Sequence, residues 1–94
     1  MSQSYDQAGS VTQSEAEIEK RVRSVIAEMF HLSPQEAEGQ LGMGNPAGWD
    51  SLGHMELVIQ LEKEFGVTFP NFVLADLVSV PAIVRAVRDS SASA

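Results

Sequence analysis

The 94-residue sequence contains no cysteine. A disulfide framework, a thiolate metal site and a cysteine nucleophile are therefore all excluded. Any thiol chemistry in which this chain takes part has to come from a group attached to it. Aromatic residues are also scarce, with one tryptophan and one tyrosine beside four phenylalanines, so the core of this single small domain must be mainly aliphatic.

Basic residues are few and long apolar runs are absent. Six Lys and Arg stand against 13 Asp and Glu, a formal charge of −7 at pH 7. This charge disfavours nucleic acid and anionic membrane and favours partners with basic patches. The chain shows no secretory signal and no apolar run near the roughly 20 residues of a membrane span. We expect a cytoplasmic monomer without stable membrane insertion.

The two ends of the chain differ in composition from its middle. Residues 1–13 and 89–94 are short of apolar side chains, which predicts a disordered N-terminal tail and a flexible C-terminal tail around one domain, 14–88. Ser14 and Glu17 form a capping-box pattern ahead of apolar residues at helical spacing. This predicts a first helix over about 14–30.

A glycine- and proline-rich stretch over 31–50 predicts a long loop with one helical turn after Ser33 and Pro34. The loop is expected to be pinned to the core by Leu32, Leu41, Met43 and Trp49, and His31 is expected to satisfy carbonyls at the end of the first helix. A second helix should run over 51–65, started by Asp50 or Ser51 and stopped by Gly66.

Two shorter helical segments complete the predicted fold. One or two helical turns follow Pro70, and Ser79 caps a last helix that tolerates Pro81 in its first turn. The buried stripe of this last helix is predicted to consist of Val80, Ile83, Val84 and Val87. The expected architecture is all-α, a small four-helix bundle with a long first loop and a short third helix.

The second helix carries two apolar groups. Leu57, Val58, Leu61 and Phe65 form the side expected to face the core. Leu52, Met55 and Ile59 lie on an adjoining side, beside Glu56 and Glu62. This second group is open to two interpretations: it belongs to the core, or it is a partner-docking face with an acidic rim.

Ser51 also has two interpretations. A serine at a helix start is most often an N-cap. The same place offers free backbone N–H groups and the positive end of the helix dipole, which would accommodate a phosphate esterified to the hydroxyl.

From Glu15 to Val87 the sequence resembles the acyl carrier proteins and related thiolation domains. The most specific matching stretch is DSLGHMELVIQLEKEFGV, residues 50–67, and LADLVSVPAIVRAV, residues 74–87, is also similar to the family pattern. The resemblance implies 4′-phosphopantetheine on Ser51, flanked by Asp50 and Leu52 and transferred from coenzyme A by a phosphopantetheinyl transferase. It implies carriage and not catalysis, with an acyl or aminoacyl thioester serving a specialised fatty-acid, polyketide or aminoacyl pathway.

The implied partners are that transferase, a loading enzyme and downstream acyl-processing enzymes with basic docking patches. The residues assigned to partner binding are Trp49, Met55, Glu56, Ile59 and Glu62. The resemblance also offers five side chains as a lining for the cargo, although we favour an ordinary core role for each: Leu57, Leu61, Phe65, Phe69 and Leu77.

The chain departs from the family pattern in two places. Many carriers have an acidic residue where this chain has Gly53, and Lys63 stands where an acid is frequent. Glycine at 53 is expected to weaken the helix start by about 1 kcal/mol relative to alanine. His54 is expected to be a half-exposed helix residue without a role, and direct involvement near the root of the arm is the less favoured alternative. Trp49 is expected to be an apolar plug or a partner contact. No metal site is predicted.

A non-catalytic helical adaptor is the alternative function. In that hypothesis Leu52, Met55 and Ile59 bind a partner and Ser51 is only a cap. An enzyme is a distant third, because no Ser-His-acid arrangement can be argued and the bundle is too small to enclose a pocket.

Overall fold

A computed structural model describes residues 14–92 of the chain. Its helices are α1 (Glu15–Phe30), α2 (Pro34–Ala37), α3 (Ser51–Phe65), a 3-10 helix (Asn71–Asp76) and α4 (Val80–Ala92). Within that described part there is no β-strand, and Gly42 forms isolated bridges with Asn45 and Ser79. The predicted all-α class is confirmed. The tail predicted over 1–13 lies outside the described residues.

Local sequence signals set the helix starts. The Ser14 hydroxyl accepts from the Glu17 N–H at 3.2 Å, and the Glu17 carboxylate accepts from the Ser14 N–H at 3.3 Å. Ser33 and Glu36 repeat this capping box at α2. At α4 the Ser79 hydroxyl accepts from a backbone N–H one turn later. Each cap satisfies donors that a helix start leaves open.

The ends of α1 and α3 both use a left-handed residue. Gly66 ends α3 with φ 64°, as predicted, and its N–H donates to the Glu62 carbonyl. His31 takes the same role after α1 with φ 57°, and its backbone N–H donates to the Ala27 carbonyl. His31 therefore does satisfy a C-terminal carbonyl, through its backbone N–H.

The core lies between α1, α3 and α4. The predicted stripe on α4 is buried, as are Leu57, Val58 and Leu61 on α3, whereas Phe65 is half-buried. Helices α1 and α4 supply mainly branched aliphatic side chains to this core. These side chains pack closely and leave no polar atoms inside. The remaining buried apolar residues of the core are Ile18, Val22, Val25, Ile26, Leu41, Trp49, Phe69 and Leu77.

The long loop is anchored partly by its backbone. Leu41 and Trp49 are buried as predicted, and Leu32 is half-buried, but Met43 is exposed, so the expectation that Met43 pins the loop is wrong. The Met43 N–H instead donates to the Val78 carbonyl at 2.9 Å. A Cβ on Gly42 would lie 2.7 Å from that carbonyl oxygen, so glycine permits the close approach.

The last helix is longer than expected. α4 continues through Ala92, so residues 89–92 of the predicted flexible tail are helical, and residues 93–94 lie outside the described part. Arg88 forms ion pairs with Glu15 at the start of α1 and with its neighbour Asp89. Hydrogen bonds to Glu15 and then to Asp89 raise the pKa of Arg88. This contact ties the end of α4 to α1.

Leu61 and Ile59 lie two residues apart on α3, and substitution of each tests which side of the helix faces the core. Leu61 is fully buried and Ile59 is 48% exposed. We expect Leu61→Ala to lower the free energy of unfolding by about 2–5 kcal/mol, because it removes core contacts and leaves a cavity. Ile59→Ala should change it by only about 0.5 kcal/mol. Urea denaturation followed by circular dichroism measures both, and equal losses would contradict this orientation.

Candidate functional site at the start of α3

Ser51 is the first residue of α3 and is exposed, but it does not cap the helix. The cap is Asp50, whose Oδ1 accepts from the Gly53 N–H at 2.8 Å. Of the two residues predicted to start this helix, Asp50 therefore has the structural role. The Ser51 hydroxyl is left free for chemistry, because the helix start does not depend on it.

The first turn of α3 presents unused backbone donors beside that hydroxyl. Asp50 takes the Gly53 N–H through its side chain and the His54 N–H, at 2.7 Å, through its carbonyl. The N–H groups of Ser51 and Leu52 have no acceptor among residues 14–92. Together with the helix dipole they favour an oxyanion at this position.

Gly53 allows the loop backbone to lie against this first turn. A Cβ on Gly53 would lie 2.3 Å from the Gly48 carbonyl oxygen and 3.2 Å from the Phe30 ring. The expected advantage of alanine at this position does not hold, because the loop carbonyl occupies the space of the methyl group. The same contact explains why this chain has no acidic side chain at position 53.

Trp49 fills the space between the loop and α3. Its side chain is fully buried and stacks on Phe30 at a centroid distance of 6.3 Å and on His54 at 6.2 Å. The prediction that Trp49 is an apolar plug is confirmed. Its assignment to partner binding is wrong, because no part of the ring reaches the surface.

His54 is buried, with 6% of its surface exposed, so the expectation of a half-exposed side chain is wrong. The reason is the indole of Trp49, which covers the first turn of α3. The Trp49 Nε1–H donates to His54 Nδ1 at 3.0 Å, and His54 Nε2 lies 2.8 Å from the Leu74 carbonyl oxygen. Since an indole only donates and a carbonyl only accepts, the ring proton is assigned to Nε2.

The second apolar group of α3 is not part of the core. Leu52 is 70% exposed, Met55 52% and Ile59 48%, and Glu56 beside them is exposed. Glu62 is half-buried and its Oε2 accepts from the Phe69 N–H at 2.9 Å. Glu62 therefore holds the segment after α3, in addition to the partner contact predicted for it.

The five candidate cargo-lining residues belong to the packed interior. Leu57, Leu61, Phe69 and Leu77 are buried members of the core, and Phe65 packs against it with the Arg21 guanidinium 4.4 Å above its ring. They have the core role that we favoured.

Three residues that shape the site were not predicted from the sequence. Phe30 stacks on Trp49, Gly48 places its carbonyl over Gly53, and Leu74 supplies a carbonyl to His54. The glycines at 48 and 53, on either side of Trp49, were the available signal for a close approach. No local pattern marks Phe30 or Leu74, because both lie far from α3 in the sequence.

A family model described as "Phosphopantetheine attachment site" matches residues 20–87, most of the 94-residue chain. The chain belongs to this phosphopantetheine-binding family. Its carriers bear covalently attached 4′-phosphopantetheine, which is therefore the cofactor of this carrier. Domains of this family carry groups and do not catalyse reactions. Among residues 14–92 of the carrier, no helix is long and apolar enough to cross a bilayer.

The start of α3 in the carrier fits a phosphate ester. The Ser51 side chain is exposed, and the N–H groups of Ser51 and Leu52 are available to phosphate oxygens. When bound, the group supplies a thiol, which the carrier itself lacks.

Substitution of Gly53 tests the close contact with the loop. We expect Gly53→Ala to lower the free energy of unfolding of the carrier by about 1–3 kcal/mol through overpacking, although alanine in an open helix would raise it by about 1 kcal/mol. Gly39→Ala is the matched control, because its Cβ would meet only the Glu36 carbonyl, at 3.5 Å. Stabilisation by Gly53→Ala in thermal denaturation would contradict the contact.

Proposed function

We propose that this chain is a discrete carrier protein with 4′-phosphopantetheine attached to Ser51. It holds an acyl or aminoacyl group as a thioester and presents it to partner enzymes, in a specialised fatty-acid, polyketide or aminoacyl pathway. The observation that carries the proposal is the exposed Ser51 hydroxyl at a helix start that Asp50 already caps. Modification of Ser51 therefore leaves the fold of α3 intact.

The attachment is a phosphoryl-type transfer from coenzyme A. The Ser51 oxygen forms a bond to the phosphorus that bears pantetheine, and the bond from this phosphorus to the bridging oxygen breaks. Adenosine 3′,5′-bisphosphate leaves, and the hydroxyl proton passes to a base of the transferase. Within the carrier, Asp50 serves as the helix cap, with its Oδ1 accepting from the Gly53 N–H.

Flexible tethering explains how one small domain serves several enzymes. A thioester on a long arm reaches each active site as a tethered reactant, at a high effective concentration. Selection among partners then rests on weak docking contacts and not on a pocket in the carrier.

The docking surface that we propose is the exposed side of α3, formed by Leu52, Met55, Glu56 and Ile59. Its apolar side chains supply a contact area and Glu56 supplies negative charge. Three of the four arginines on the other two long helices are paired with acids within the chain: Arg21 with Glu64, Arg23 with Glu19 and Arg88 with Glu15. No cation lies on α3 before Lys63. This distribution favours an approaching partner with a basic patch.

Modification of the purified chain tests the attachment site. With coenzyme A and a broad-specificity phosphopantetheinyl transferase, intact-mass spectrometry should show one added phosphopantetheinyl group on the wild-type chain and none on Ser51→Ala. Ser33→Ala is the matched control, since Ser33 also stands at a helix start, and it should be modified normally. Ser51→Ala should unfold within about 0.5 kcal/mol of wild type, because Asp50 is the cap.

An unmodified wild-type chain, or modification of Ser51→Ala, would overturn this assignment. The adaptor alternative, which Leu52, Met55 and Ile59 favour by their exposure, is distinguished by Ser51→Asp. An adaptor would retain partner binding in that variant, whereas a carrier would lose all transport.

Charge reversal on α3 tests the docking surface. We expect Glu56→Lys to raise the KM of the transferase for the carrier about threefold to tenfold at low salt, because a rim charge mainly changes the association rate. The difference should shrink as ionic strength rises. Glu28→Lys makes the same charge change on α1 and should leave KM near the wild-type value. Equal effects of the two substitutions on KM would show that only the net charge of the carrier matters, and would contradict the proposed docking surface.

A further inference from the structure

One buried side chain connects the two segments that flank the modification site. His54 lies on α3 one turn after Ser51, Trp49 belongs to the loop that precedes it, and Leu74 belongs to the 3-10 helix. The ring of His54 is hydrogen-bonded to the Trp49 indole on one side and to the Leu74 carbonyl on the other. We call this arrangement of Trp49, His54 and Leu74 the histidine bridge.

The 3-10 helix has few other attachments. None of its six residues is buried, and it has no side-chain cap at its start. Phe72 within it is exposed, and only Val73 and Leu74 are half-buried against the core. Phe69 and Leu77 on either side of this segment are buried in the core. The hydrogen bond to His54 adds a restraint in the middle of the segment, where little apolar surface is buried and opening is easy.

On its other side the bridge holds the backbone next to Ser51. Trp49 is two residues before Ser51, and its ring is fixed between Phe30 and His54. The Gly48 carbonyl lies against Gly53 in the same turn of α3. Loss of the Trp49–His54 hydrogen bond would remove one of the contacts that hold this loop, two residues before the hydroxyl.

We propose that His54 is a positioning residue for phosphopantetheinylation. By joining the loop at Trp49 to the 3-10 helix at Leu74, it holds the Ser51 hydroxyl in one position while the transferase acts. This inference rests on the proposed attachment to Ser51. A displacement of about 1 Å at a reacting group is enough to slow a transfer up to about a hundredfold.

The two halves of the bridge can be removed separately. In His54→Asn the amide oxygen takes the place of Nδ1 and still accepts from Trp49, but the side chain is too short for Leu74. In His54→Gln the amide nitrogen reaches the Leu74 carbonyl in place of Nε2, and the acceptor for Trp49 is lost. Neither amide does both, because the two imidazole nitrogens point in different directions.

Steady-state modification kinetics with coenzyme A and the transferase test the proposal. We expect each variant to lower kcat about fivefold or more with KM changed less than about twofold, because the docking side chains Leu52, Met55 and Ile59 are untouched. Val87→Ala, a buried substitution on α4, is the control for lost stability and should keep the wild-type kcat. All variants are assayed where circular dichroism shows them folded.

Hydrogen exchange gives a readout that does not depend on modification. The indole N–H of Trp49, the only tryptophan, should exchange faster in His54→Gln and stay protected in His54→Asn. The Val73 and Leu77 amides, which bond within the 3-10 helix segment, should show the reverse pattern.

The outcomes separate the two proposals. An unmodified wild-type chain refutes the attachment to Ser51, whereas a modified wild type with unchanged kcat in both His54 variants refutes the positioning role alone. If Val87→Ala lowers kcat as much as the His54 variants do, the positioning role is also refuted, because lost stability then accounts for the effect. Should the His54 variants fail to fold, Trp49→Phe keeps an aromatic ring at this position and removes the donor, together with part of the buried ring volume. A normal kcat in that variant would overturn the proposal.

Discussion

The fold around the start of α3 depends on burying one indole ring. Trp49 is enclosed by Phe30 and His54, and its single N–H has to find an acceptor away from water. A buried donor without a partner costs about 1–3 kcal/mol, so the Nδ1 of His54 is as important as the stacking. With the ring buried, the Gly48 carbonyl lies against the first turn of α3, and only glycine fits at position 53.

Capping and chemistry are assigned to adjacent residues at the start of α3. Asp50 uses its carboxylate to hold the first turn, and Ser51 keeps an exposed hydroxyl with two unused N–H groups close by. If Ser51 were itself the cap, attachment of a bulky group would compete with helix formation. The division leaves the hydroxyl exposed in the fully folded domain, and the helix dipole at this position favours an oxyanion.

The core of the domain is fully packed without the exposed apolar side chains of α3. Branched aliphatic residues of α1 and α4 bury the core-facing side of α3, so Leu52, Met55 and Ile59 are not needed for stability. Apolar side chains left exposed next to an acidic residue suit brief contacts with several partners. Ion pairing of Arg21, Arg23 and Arg88 within the chain leaves the negative charge near this surface uncompensated.

The sequence by itself determined where the main helices lie and which residue is the candidate site, but it left open whether Asp50 or Ser51 starts α3. The capping box at Ser14, the stop at Gly66 and the stripe on α4 are local patterns, and a local pattern reports the periodicity of the element that contains it. The tertiary structure decided which residues meet. The sequence predicts a half-exposed His54 because periodicity does not reveal that the indole of Trp49, five residues earlier, covers the first turn. Met43 looked buried because composition does not reveal that backbone hydrogen bonds anchor its loop. The bond from His54 to Leu74, 20 residues away, exists only because chain folding places the 3-10 helix beside α3.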